Sequence, residues 1–154
     1  MDRGAIAFWT GTGANVGTLT TDSGALLNTP FSVSARFEPQ PAAPASTPEE
    51  LLAAACASDY TMTLAERLQA SGHPAYTLRT EARVQLVRPS GYWEIPAIRI
   101  HCSADVPAIE DKEFLAIAHA ARRHGPLLRS LRADIVLTVS LETMPGREWG
   151  ISVQ

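Results

Sequence analysis

The chain has 154 residues, 45% of them hydrophobic, which is enough apolar material for the core of one globular domain. Its formal charge of −3 shows no basic excess and argues against nucleic acid as a partner. The first residues, MDRGAIAFWTG, lack the apolar run of a signal peptide, and no stretch of about eighteen apolar residues occurs, so we expect a cytoplasmic protein without a membrane partner.

The first 38 residues are predicted to form strands. Ala5 to Trp9 and Val16 to Thr21 are typical of a hairpin joined by a glycine-rich turn. Phe31 to Glu38 alternates between apolar and polar residues, which predicts a third strand. Residues 39–46 contain three prolines, and because proline has no backbone donor we expect a linker there.

A long central helix is predicted over residues 47–71. Thr47 suits the N-cap, Pro48 suits the first helical position, and Glu50 completes a capping box. Residues 51–57 are all apolar, so two turns have no polar face and must be covered by other structure. Asp59 is the acid that interrupts this apolar helix.

The second half of the chain is predicted to alternate between strands and one helix. Gly72 can end the central helix. Period-two alternation predicts strands at Tyr76–Leu86, Ile95–Val106 and Ile135–Leu141. Between the last two strands, a stripe of apolar residues at helical spacing predicts a helix that starts at Asp111 and is broken at Gly125-Pro126.

We therefore expect one α+β domain over residues 1–154, with helices packed on a mostly antiparallel sheet. Its parts are strands in 1–38, a linker in 39–46, the central helix in 47–71, strands and a second helix in 75–143, and a tail in 144–154.

Five stretches of the sequence carry a family resemblance. They are GTLTTDSGALLNTPFSVSARFE, TPEELLAAACASDYTMTL, EARVQL, HCSADVPAI and HGPLLRSLRADIVLTVSL. In this order they resemble the osmotically inducible protein C (OsmC) and organic hydroperoxide resistance (Ohr) family, from about Ala5 to Glu142. The resemblance implies an intertwined homodimer, in which an antiparallel sheet wraps around two central helices and two active sites lie at the subunit interface.

The family resemblance also implies a reaction, the reduction of organic hydroperoxides by a reactive cysteine and a resolving cysteine. A thiolate attacks the peroxide oxygen, and the second thiol converts the resulting sulfenic acid into a disulfide. By the resemblance, the site arginine and glutamate are Arg36 and Glu49, whereas the two cysteine positions hold Asp59 and Gly125. Both thiols of the family mechanism are therefore absent.

The two cysteines of this chain lie elsewhere. Cys56 is three residues before Asp59, so its sulfur could border the same pocket. It is either a replacement nucleophile or an inert thiol packed as a small hydrophobic group. Asp59 opposes the first alternative, because a nearby anion disfavours a thiolate. Cys102, on an inward strand face, is interpreted as core.

Asp59 also has two interpretations. It can form a structural ion pair with Arg36 after loss of catalysis, or it can join Arg36 and Glu49 in a polar corner that binds a small apolar or organic-acid ligand at the dimer interface. Glu49 can equally be only a charge at the helix terminus.

Three functions follow from these alternatives: a dimeric ligand-binding protein without efficient peroxidase activity, a weak single-cysteine peroxidase using Cys56, and a non-peroxidase enzyme using Asp59 with Arg36. Whether the chain is an enzyme stays open. The four histidines show no metal-ligand spacing, so neither a metal nor a cofactor is expected.

Overall fold

A computed structural model describes residues 1–9, 16–41 and 43–142. The glycine-rich turn expected at 11–14 and the tail expected at 144–154 lie outside the described residues. The chain divides into two compact units, Met1–Leu52 and Ala53–Gln154. No helix of the described part is both long and apolar enough to cross a membrane.

The first unit contains a three-stranded antiparallel sheet, β1 (Ala5–Trp9), β2 (Val16–Thr21) and β3 (Thr29–Ser32), in the order β1-β2-β3. All five residues of β1 are exposed. The bridge between Phe31 and Ser46 ties the end of the linker to β3.

The third strand begins at Thr29 and ends at Ser32, so the expected strand at Phe31–Glu38 is wrong from Val33 onward. After β3 the chain forms a short helix, α1 (Val33–Phe37). The Ser32 hydroxyl accepts a hydrogen bond from the Ala35 amide at 2.9 Å, which caps this helix. The Ser32 cap favours a helix more strongly than the short apolar–polar alternation favours a strand. Arg36 therefore lies on a helix instead of at a strand end.

The central helix, α2 (Pro48–Ala70), begins and ends as predicted. The Glu50 amide donates to the Thr47 hydroxyl at 3.2 Å, and the Thr47 amide donates to the Glu50 carboxylate at 3.1 Å, which is the reciprocal capping box. At the other end Gly72 has φ +82°, and the His73 amide donates to the Leu68 carbonyl. This left-handed glycine satisfies carbonyls that the helix end would leave unpaired.

The second unit contains α2 from Ala53 onward, α3 (Asp111–His124) and a three-stranded sheet of β4 (Thr77–Val84), β5 (Ala97–Asp105) and β6 (Asp134–Leu141). The sheet order is β4-β5-β6, with β4 and β5 antiparallel and β5 and β6 parallel. The parallel pair requires a crossover, which α3 and a short 3-10 turn (Leu128–Ser130) supply.

The core of the second unit is drawn from one stripe of each element. The buried side chains of α2, β5 and α3 are Cys56, Tyr60, Leu64, Leu68, Ile98, Ile100, Cys102, Ala104, Phe114, Ala118 and Ala121. The period-two alternation expected over Ile95–Val106 is thus confirmed, because every second residue of β5 from Ile98 to Ala104 is buried. Inside this core the Tyr60 hydroxyl donates to the Ala118 carbonyl at 3.3 Å, so its buried polar group is satisfied.

Candidate functional site

Asp59 holds the loop that follows α3. Its two carboxylate oxygens accept hydrogen bonds from the amides of Leu127 and Leu128, each at 3.3 Å. These amides stand at the start of the 3-10 turn, where backbone donors have no partner within the turn. The half-buried carboxylate therefore caps the turn from a different element of the unit.

Gly125 makes room for that carboxylate. A Cβ atom on Gly125 would overlap Asp59 Oδ2 and would lie 3.4 Å from Asp59 Cγ. Gly125 has φ −55° and ψ 121°, an extended conformation that suits the residue before Pro126 and that any L-residue can adopt. Glycine is therefore required here for space, and positions 59 and 125 are in direct contact.

The two cysteines lie in the core. Cys56 and Cys102 are both fully buried free thiols. Burial raises the pKa of the Cys56 thiol, and the nearby Asp59 carboxylate raises this pKa further. Burial also raises the pKa of Cys102, against a smaller lowering by its hydrogen bond with Thr80. Since the thiolate is the reactive form, neither environment favours nucleophilic chemistry.

Arg36 and Glu49 are brought together in the first unit. The Arg36 guanidinium forms a hydrogen-bonded ion pair with the Glu49 carboxylate, and their side chains are 34% and 13% exposed. α1 positions the arginine and the first turn of α2 positions the glutamate. An ion pair between Arg36 and Asp59 would join the two units and stays a prediction.

A pocket of about 380 Å³ lies beside Pro126. Thr63 and Arg67, one and two turns after Asp59 on α2, line it together with Glu66, Ala70, His124 and Pro126. His124 Nδ1 is 2.7 Å from the Ala120 carbonyl oxygen. The lining combines polar side-chain ends with the small apolar surface of Ala70 and Pro126.

Sequence reasoning placed Asp59, Arg36, Glu49 and Cys56 as site residues and found Gly125 at the second family cysteine position. It missed the backbone amides of Leu127 and Leu128 as hydrogen-bond donors to Asp59, because the type of a side chain does not determine the direction of a backbone amide. A glycine before a proline at a helix end was the available signal for a close approach. No group of three or more potential metal ligands occurs among the described residues.

Comparison with known proteins gives the class of this protein. The chain belongs to the OsmC-like family: the model of the family described as OsmC-like protein matches residues 41–140. Among curated relatives, "Peroxiredoxin OsmC" of Escherichia coli is 31% identical over 127 residues, covering 82% of this chain and 87% of the relative.

Solved structures show the same fold. An OsmC-like protein of unknown function from Vibrio cholerae superposes with a TM-score of 0.78 at 15% identity, covering 91% of this chain and 99% of that chain. The organic hydroperoxide resistance protein OhrB of Bacillus subtilis superposes with a TM-score of 0.64 at 17% identity, covering 92% of this chain and 98% of that chain. The α+β, OsmC-like fold predicted from the sequence is therefore confirmed.

Proposed function

We propose that this protein is a homodimeric, ligand-binding derivative of the peroxide-stress family that does not turn over organic hydroperoxides efficiently. The observation that carries the proposal is the contact between Asp59 and Gly125, the two positions that the family resemblance assigns to thiols. A carboxylate engaged with two backbone amides now fills this space.

The chemistry supports the loss of thiol turnover. Reduction of a hydroperoxide requires a thiolate to attack the peroxide oxygen and release an alcohol, leaving a sulfenic acid. A second thiol then displaces water from the sulfenic sulfur to form a disulfide. A carboxylate cannot pass through these states, and Gly125 has no side chain at all.

The weak-peroxidase alternative depends on Cys56. Its side chain is fully buried and its thiol pKa is raised, so access and thiolate formation both oppose it. The alternative in which Asp59 acts as an acid or base faces a different obstacle. Both of its oxygens already accept amide hydrogens, and proton transfer would have to compete with these bonds.

The homodimer is supported by apolar surface that a single chain leaves open. Ile6 and Phe8 on β1 are 72% and 64% exposed, and Met62 on α2 is 70% exposed. On α2, Met62 continues an exposed stripe with Ala54, Ser58 and Ala65, whose small side chains permit close approach of a second helix. Sedimentation of a monomer at micromolar concentration would contradict the dimer.

The pocket beside Pro126 supports a small organic acid as ligand. Arg67 can hold a carboxylate against the opposing charge of Glu66 in the same lining, while Ala70 and Pro126 offer apolar surface to the rest of the molecule. We expect octanoate to bind in calorimetric titration and Arg67→Gln to weaken it about tenfold. The exposed Arg99 of β5 provides the charge-matched control, Arg99→Gln. Equal losses in both variants would refute this site.

The decisive test of the proposed function is consumption of cumene hydroperoxide with a dithiol reductant. We expect the wild type and Cys56→Ser to remain at background. The double variant Asp59→Cys/Gly125→Cys should gain turnover and form a disulfide on oxidation, because the two positions are in contact. Wild-type turnover that disappears in Cys56→Ser would overturn the proposal. A folded double variant without sulfenic acid or disulfide would refute the placement of the site.

A further inference from the structure

A second pocket, separate from the one beside Pro126, is lined by arginines. It has a volume of about 200 Å³ and lies between the end of α3, the 3-10 turn and the start of β6. Three of its five lining residues are Arg122, Arg123 and Arg129, and Leu128 and Ile135 complete the wall. This concentration of positive charge occurs in a chain whose formal charge is −3.

The three arginines have no carboxylate partner in the described part of the chain. The ion pairs found there are Arg36–Glu49, His73–Glu113 and Arg79–Glu81, none of which involves this pocket. Three guanidinium groups that line one pocket repel each other, although solvent screens the exposed Arg123 and Arg129. A bound anion would relieve it.

Arg122 provides a second, independent observation. Its Nε atom is buried and has no hydrogen-bond partner, and no other buried side-chain nitrogen or oxygen of the described residues is in this state. A buried donor without an acceptor is unfavourable and calls for a partner such as an ion or water. Arg122 as a whole is half-buried and lines the pocket, so its planar guanidinium is a group that an oxyanion in the pocket can meet.

A structural role at the helix end accounts for only part of this arrangement. Arg122 and Arg123 lie in the last turn of α3, where cations interact favourably with the helix dipole. That interaction does not require a buried Nε without an acceptor. It also leaves Arg129 unexplained, because Arg129 belongs to the 3-10 turn.

We propose that this arginine pocket binds a phosphate group, either free phosphate or the phosphate of a small phosphorylated molecule. A phosphate carries close to two negative charges and has oxygens in several directions, so it can meet more than one guanidinium fork. A single carboxylate offers one charge and one planar pair of oxygens. The pocket shares Leu128 with the Asp59 contact, but neither Asp59 nor Gly125 lines it, so phosphate binding and peroxide turnover are tested by different experiments.

The test is calorimetric titration of the full chain with inorganic phosphate and with glycerol 3-phosphate, using acetate at matched ionic strength as the monoanion control. We expect phosphate to bind and acetate not to bind. Tighter binding of glycerol 3-phosphate would identify a phosphorylated molecule as the source, and equal or weaker binding would identify free phosphate. Absence of phosphate binding to the wild type would overturn the proposal.

Two substitutions localise the binding. Arg129→Gln changes an exposed side chain and should fold normally, and we expect it to weaken phosphate binding about tenfold. Arg132→Gln is the matched control, because Arg132 is also exposed and lies three residues further along but does not line the pocket. It should change the affinity less than about twofold, since only screened long-range charge is lost. Equal losses in the two variants would refute a built site.

Discussion

Substitution of Gly125 by alanine tests the contact on which the candidate site depends. The added Cβ would occupy the position of Asp59 Oδ2, so the carboxylate must rotate away. The backbone of Gly125, with φ −55° and ψ 121°, suits alanine without strain. Any destabilisation must therefore come from the displaced carboxylate.

The expected magnitude follows from the bonds that are lost. A hydrogen bond to a charged group contributes about 1.5–3 kcal/mol, and since both Asp59 bonds are long, at 3.3 Å, we take the lower end. Losing both costs about 3 kcal/mol. Replacing glycine by alanine recovers roughly 0.4–1 kcal/mol by restricting the unfolded chain. The net expectation is a destabilisation of about 2 kcal/mol, or a decrease in Tm of roughly 4–8 °C.

The assay is denaturant unfolding at fixed protein concentration, carried out as a double-mutant cycle with Asp59→Ala. In the wild-type background Gly125→Ala should destabilise. In the Asp59→Ala background there is no carboxylate to displace, so the same change should stabilise by roughly 0.4–1 kcal/mol. A stabilising effect in both backgrounds would refute the contact, and additive destabilisation would show that Gly125 acts without Asp59.

Three further predictions follow from the caps and the buried thiols. Native Cys56 should react slowly with iodoacetamide. Asp59→Asn should raise the alkylation rate of Cys56, because it removes the carboxylate that contributes to the raised pKa of the thiol. An unchanged rate would show that burial alone limits the reaction. Stability should fall as pH rises above about 8.5, because unfolded thiols ionise there while the raised pKa values of Cys56 and Cys102 keep the folded thiols protonated. Denaturant unfolding should show a flatter pH dependence after Cys56→Ala and Cys102→Ala are combined, and an unchanged slope would contradict this. Thr47→Ala should lower the free energy of unfolding by about 1 kcal/mol, because it removes the oxygen bonded to the Glu50 amide. Thr47→Ser keeps this oxygen and should lower the free energy of unfolding by less than half as much. Equal losses would rule out the capping bond as the cause.

The regular elements could be predicted where local chemistry decides the structure. The capping box of α2, its glycine end and the alternation of β5 depend on residues close together in sequence, and the structure confirms all three. The same local reasoning was wrong for Phe31–Glu38, because a four-residue strand runs directly into a capped helix. There the Ser32 cap outweighed a short alternating pattern.

The candidate site could be predicted only in part. The family resemblance placed Asp59 and Gly125 at the two cysteine positions, which stays a prediction, and their direct contact became visible only in the structure. What Asp59 bonds to did not follow, because the amides of Leu127 and Leu128 become available only through the path of the chain after α3. The pairing of Arg36 with Glu49 likewise needed the unexpected turn of α1.

The sequence by itself determined the family, the order of the elements apart from α1, and the absence of thiols at positions 59 and 125. These properties depend on residue identity and on periodicity along the chain. Only the tertiary structure decided that the acid at position 59 holds a distant turn and that three arginines surround one pocket. Such contacts join residues as many as 69 positions apart, and their geometry depends on how helices and sheet pack, which no local pattern encodes.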